Sequence, residues 1–287
     1  MTIAGYSEWV VRLAAFVGVL ALMIALERMR PRRKLTLARV KRWTTNLAIV
    51  GLGSLAVRLL AFISEFIALP LIAVLAAVYA GQHGIGFFHW LAIPQWVAFL
   101  IAVLALDFAV WLQHYISHVW QPLWRLHRVH HADRDIDATT ALRFHPVEIL
   151  LSMIYKVAWV LALGAPVAAV IVFEIVLNAS AMFNHANWRM PLALDRILRP
   201  LVVTPDMHRV HHSVYRNEHN TNFGFCLSIW DRTFGTYTAQ PKDGHEGMRI
   251  GLEPFQTEKP ADLGWSLALP FRSTPLRESE KKTGKQT

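Results

Sequence analysis

The chain has 287 residues, 54% of them apolar and only 17% charged, with a formal charge of +9. A soluble domain carries about 25% charged residues, so the shortfall argues against water as the solvent on all sides and points to a bilayer. The single cysteine, Cys226, excludes a disulfide framework and any cysteine-rich zinc or iron–sulfur site, leaving nitrogen and oxygen to ligate any metal.

The first apolar stretch, 9–26, is interrupted only by Arg12 and is long enough to cross about 30 Å of hydrocarbon. A signal peptide fits it less well than a signal anchor, because the positive charges follow the apolar run and no small-residue cleavage site appears. Those charges, Arg28, Arg30, Arg32, Arg33, Lys34, Arg39, Lys41 and Arg42, crowd one loop, the pattern of a cytoplasmic segment beside a membrane. A nucleic-acid module would interleave them with aromatics on a soluble surface, so nucleic acid is not an expected partner.

Further apolar segments cover 46–80 (broken by Arg58, Glu65 and Pro70), 96–111, 149–163 and 166–183. With the basic loop inside, the chain from 44 to 113 must cross an even number of times to return His114 to that face. One crossing by 44–80, its distal part tilted or interfacial, and a return by 96–113 satisfy this. The hairpin 149–183 then keeps later segments on the same side. The charged end, 277–287, reads as disordered.

Three strings carry the chemistry: His114-Tyr115-Ile116-Ser117-His118, His127-Arg128-Val129-His130-His131 and His208-Arg209-Val210-His211-His212. They hold eight of the fourteen histidines. On a helix, residues three and four apart share a face, so each string can offer several imidazoles to one side. Neutral imidazole suits zinc, copper, iron or nickel, and eight nitrogens exceed what one ion uses. A single interfacial histidine would need no such explanation; three clusters do, and they predict a two-metal site.

These strings, with membrane segments between them, resemble the fatty acid hydroxylase/sterol desaturase superfamily. The resemblance runs from about 107 to 237, including Leu123 to His131, Arg143 to Glu148, Asn184 to Asn187 and Trp230 to Tyr237. It implies a non-haem di-iron oxygenase that uses O2 and two external electrons to hydroxylate or desaturate an apolar lipid. Carried over, the ligands would be His114, His118, His127, His130, His131, His208, His211 and His212, with His185 a further candidate. His145 and His219 are expected to support the site rather than ligate. Zinc can replace iron in purified protein, since imidazole sites hold it more tightly.

Asp107 lies two turns below His114 on the same helix face. A charge inside a membrane helix is costly unless paired or functional, so Asp107 is expected to accept an N–H from a ligating imidazole; an ion pair with a helix-end arginine is the alternative. Glu174 invites the same reading, and Asp133 and Asp135 could also orient ligands. Trp111, Tyr115, Trp120, Trp124 and Trp188 are candidate pocket walls or interfacial belt residues. No GxGxxG or CxxCH motif is visible, so electrons are expected from a ferredoxin or cytochrome b5-like donor with its reductase. Two other classes compete. A metal transporter would set its ligands near the midplane, and a zinc hydrolase commonly shows HExxH, absent here.

The expected fold is all-α: four or five membrane helices with a cytosolic helical cap from 120–148 and 185–240. The organisation is membrane helices and basic loop in 1–90, a catalytic domain in 91–240 and a C-terminal cytosolic tail in 241–287.

Overall fold

The computed structural model describes residues 2–3, 6–67, 69–91 and 93–273. The predicted disorder of 277–287 lies outside them. Among the described residues, five helices are long and apolar enough to cross a membrane: α1 (Glu8–Met29), α2 (Arg39–Phe66), α5 (Gln95–Val119), α7 (Pro146–Leu163) and α8 (Val167–Asn184). The reading as an all-α, polytopic membrane protein therefore stands. The strand content found is a two-residue antiparallel pair, Thr2–Ile3 with Tyr6–Ser7.

Local chemistry sets the helix ends. Glu8 in the first turn of α1 and Arg28 in its last complement the helix dipole. Pro122 cannot continue α5 but suits the first turn of α6 (Gln121–His131). Pro146 likewise opens α7, and Gly164, in the left-handed conformation at φ 66°, ends it. Gly86 must also be glycine, because a Cβ there would sit 2.1 Å from the backbone N of Gly164.

The segment 46–80 resolves into α2 and a separate helix, α3 (Ala73–His83), followed by the single turn α4 (Phe87–Trp90). At about 1.5 Å per residue, α3 is too short to cross. Its face of Ala73, Ala76 and Ala77 packs against Val160, Ala169 and Phe173 of α7 and α8. Small residues let helix backbones approach closely where lipid gives no hydrophobic drive between them.

Beyond α8 come α9 (Leu192–Leu198) and α10 (Pro205–His211). They join α6 in a cap over one end of the bundle. The cap reaches further along the chain than the expected limit at 240. Leu252, Phe255 and Leu269 cluster with Ile49, Val129 and Ala132, and Ile250 bridges Ser213. Residues 241–273 are thus a packed part of the cap, not a tail, because their apolar side chains cover the back of α6.

Candidate metal centre

The cap end of the bundle gathers the C-termini of α1, α5 and α8 and the N-termini of α2 and α7. α5 projects His114 and His118, one turn apart; α6 contributes His127, His130 and His131; His185 caps α8; α10 and its cap contribute His208, His211 and His212. These imidazoles form two groups whose ligand atoms lie within 4.8 Å of one another: His114, His118, His127, His131 and His211 in one, His130, His185, His208 and His212 in the other.

The two His-Arg-Val-His-His strings feed the groups reciprocally. The i,i+4 pair His127/His131 shares a face and enters the first group, while His130 turns to the second. The pair His208/His212 enters the second, while His211 turns to the first. The groups abut, with the His131 and His212 rings stacked at 4.6 Å.

Several tautomers are fixed by acceptors that cannot donate. Nδ1 of His114 donates to the Phe223 carbonyl, that of His211 to the Thr221 carbonyl and that of His185 to the Ala181 carbonyl, each at 2.7 Å. His127 Nδ1 donates to Glu148 Oε1 at 2.6 Å, and His118 Nδ1 to Asn220 Oδ1 at 3.2 Å. Each Nε2 is left as a lone pair.

Yet Nε2 of His114 and Nε2 of His127 stand 3.1 Å apart, and Nε2 of His185 stands 3.0, 3.1 and 3.2 Å from Nε2 of His130, His208 and His212. The facing lone pairs of His114 and His127 repel at that range unless a cation lies between them, and the single His185 lone pair cannot accept from three imidazoles at once. Two imidazole nitrogens on one ion, each bonded at about 2.1 Å, would be spaced by about 3.0–3.4 Å. His118 Nε2, His211 Nε2 and both nitrogens of His131 are buried without a hydrogen-bond partner; a metal removes that cost for the two Nε2 atoms and for one nitrogen of His131. The residues present fit two metal ions.

Electrostatics agree. Burial, with the neighbouring imidazoles second, holds His130, His131, His208, His211 and His212 well below the ordinary histidine pKa. Burial lowers His185 to about 4 despite the opposing Ala181 carbonyl. All six are therefore neutral near pH 7, the form that ligates.

An outer layer holds the ligand-bearing segments. Asp231 accepts from the backbone N–H groups of Phe223 and Gly224, both at 2.8 Å, and from Trp111 Nε1 at 3.1 Å, so it shapes the loop whose carbonyl orients His114. Buried Arg143 donates from Nε to the Val129 carbonyl beside His130 (2.8 Å) and from Nη2 to Pro260 (2.7 Å). Arg42 forks onto Asp133 at 2.7 Å through both Nε and Nη2, and also pairs with Asp137; burial opposes the charge on Asp133, but Arg42 prevails and lowers its pKa to about 2. Glu148, Asp231, Arg42 and Arg143 had no individual role in the sequence reading. Glu148 could have been marked as an acid in the first turn of a Pro-started helix just after the second string.

Other expected supports do different work. Asp107 reaches no imidazole: its Oδ2 accepts from Trp230 Nε1 (2.8 Å) and the Leu227 backbone N–H (3.3 Å), because the 226–230 segment folds back against α5. Glu174 pairs with Arg12 and Lys156, each at 2.6 Å. Asp135 accepts from the backbone N–H groups of Thr36 and Leu37, both at 2.9 Å. His145 caps α7, its Nδ1 accepting from the Val147 N–H at 3.2 Å, and lies outside both groups. His219 stacks on Trp124 at 5.5 Å, its ring 6.0 Å from that of His118.

A cavity of about 250 Å³ opens beneath the first group, with His114 and His127 at its head. Its walls are mainly apolar, with Phe16, Leu106, Phe144 and Phe225 among them, and carry the polar Gln113, Ser152, Lys156 and Asn178. None of Trp111, Tyr115, Trp120, Trp124 and Trp188 lines it. Trp111 is bound to Asp231, Trp124 faces His219, and Trp120 is exposed.

A family profile described as fatty acid hydroxylase matches residues 99–236, the span that holds both groups. An ornithine lipid hydroxylase of Rhizobium tropici is 31% identical over 160 residues, 54% of this chain and 47% of that protein. Human alkylglycerol monooxygenase is 30% identical over 159 residues, 55% and 34% of the two chains. The Danio rerio alkylglycerol monooxygenase is 33% identical over 180 residues, 59% and 37%. The match thus spans less than half the length of each of these relatives. No solved structure matches the chain significantly.

Proposed function

Because the chain belongs to the fatty acid hydroxylase/sterol desaturase superfamily, we propose that it is a membrane-bound, non-haem di-iron oxygenase that hydroxylates a lipid C–H bond. The observation that carries this reading is the convergence of two imidazole groups at the head of an apolar cavity that enters the membrane bundle. The relatives named as a lipid hydroxylase and an alkylglycerol monooxygenase favour hydroxylation over desaturation.

His114, His118, His127, His131 and His211 would hold one iron and His130, His185, His208 and His212 the other. When bound, the irons supply the activation of O2 with two electrons from a separate donor and the oxidation of an unactivated C–H bond. The polypeptide does the rest. Glu148 and the Phe223, Thr221 and Ala181 carbonyls hold imidazoles in the ligating tautomer. Val110, Phe144 and Phe225 exclude water and present the lipid carbon beside His114 and His127. The basic 28–42 segment supports a cytosolic position for the cap, where a ferredoxin or cytochrome b5-like donor can reach it.

The test is lipid analysis of host membranes with and without the gene under 16O2 and 18O2. A lipid gaining one 18O atom, only with reductant present and lost in His130→Ala and His211→Ala, is expected. Product formed without oxygen would overturn the oxygenase reading.

A further inference from the structure

We infer that the end of the cavity remote from the imidazoles is a hydroxyl-recognition site formed by Lys156 and Asn178; the inference rests on reading this cavity as the substrate chamber. Both residues line it. Lys156 lies eight positions after Glu148 on α7, about 12 Å deeper at about 1.5 Å per residue. A charge at that depth is costly unless paired, and the pairing is visible: Lys156 Nζ donates to Glu174 Oε1 at 2.6 Å, Arg12 to Glu174 Oε2 at 2.6 Å, and Arg12 also to Glu8 Oε1 at 3.0 Å. Two cations and two carboxylates leave this network neutral.

The network does not use all the hydrogen-bonding capacity of its members. An ammonium carries three donors and a carboxamide carries an acceptor oxygen. Lys156 gives one donor to Glu174, and Asn178 gives Nδ2 to the Glu174 carbonyl at 2.8 Å. Two Lys156 N–H groups and Asn178 Oδ1 remain for whatever enters. Tyr155 offers less, since its hydroxyl donates to the Ala109 carbonyl at 3.1 Å.

A hydroxyl answers both residues through one oxygen, accepting from Lys156 and donating to Asn178. An ether or ester oxygen answers only Lys156. A carboxylate would add charge to a neutral set and offer Oδ1 no proton. A hydrocarbon would leave the polar groups unmatched in an apolar chamber.

The experiment uses full-length protein in nanodiscs and tritiated 1-hexadecanol, 1-methoxyhexadecane and hexadecane, with binding read by scintillation proximity. Wild type should bind the alcohol about tenfold more tightly than the ether, the scale of one hydrogen bond, and the hydrocarbon more weakly still. Asn178→Leu, which leaves the ion network intact, should erase the alcohol–ether difference. Lys156→Met should bring the ether to the hydrocarbon level and weaken the alcohol about tenfold, leaving it the bond to Asn178. His130→Ala, remote from the cavity floor, should keep the alcohol preference while losing turnover. Equal binding of the three probes by wild type, or an undiminished alcohol preference in Asn178→Leu, would overturn the assignment. Alcohol preference without any O2-dependent turnover would support this site and remove the oxygenase reading; turnover without the preference would do the reverse.

Discussion

Glu148, in the first turn of α7, accepts a hydrogen bond from Nδ1 of His127 on α6 at 2.6 Å, both side chains buried. This contact turns the His127 lone pair on Nε2 toward His114 and ties a membrane helix to the cap. Glu148→Ala should lower metal affinity about 10- to 100-fold, measured by chelator competition on purified protein. Glu148→Gln keeps an acceptor oxygen and should lose less. Equal affinity in all three proteins would deny Glu148 this role.

His185 and His145 make opposite predictions. His185 Nε2 is within 3.2 Å of three imidazole nitrogens, so His185→Ala should reduce bound metal from two ions to about one per chain. His145 serves α7 as a cap; His145→Ala should leave metal content unchanged and cost about 1 kcal/mol of stability. Elemental analysis beside thermal unfolding decides both, and a full metal complement in His185→Ala would remove it from the ligands.

Arg42 pairs with both buried Asp133 and buried Asp137 from the start of α2. Arg42→Met leaves both carboxylates without their paired cation and should destabilise the protein by about 3–5 kcal/mol. Adding Asp133→Leu should recover part of that loss, since the orphaned charge and not the missing contact dominates. A double variant no more stable than the single would contradict this origin, with denaturant midpoints as the readout.

Lys34 and Gln82 are both exposed, near the cap and at the far end of α3 respectively. In a Cys226→Ala background, Lys34→Cys should be shielded from an impermeant maleimide in intact cells and react after permeabilisation. Gln82→Cys should react in intact cells. The opposite labelling pattern would place the metal groups outside the cell.

The sequence by itself determined four or five long apolar helices, the side of the bundle to which they return the chain, and the three imidazole strings. Those features are written in local hydrophobicity and in the 3.6-residue helical period, which makes His114 face with His118 and His208 with His212. Tertiary structure alone decided how the imidazoles divide between two groups, that His185 joins the second, and that Glu148 and Asp231 orient the first. It also redirected Asp107: helical spacing puts it on the His114 face, but Trp230, 123 residues later, supplies its donor. Such pairings depend on which distant segments meet where water is excluded, and a buried acceptor takes whichever donor the fold brings within reach.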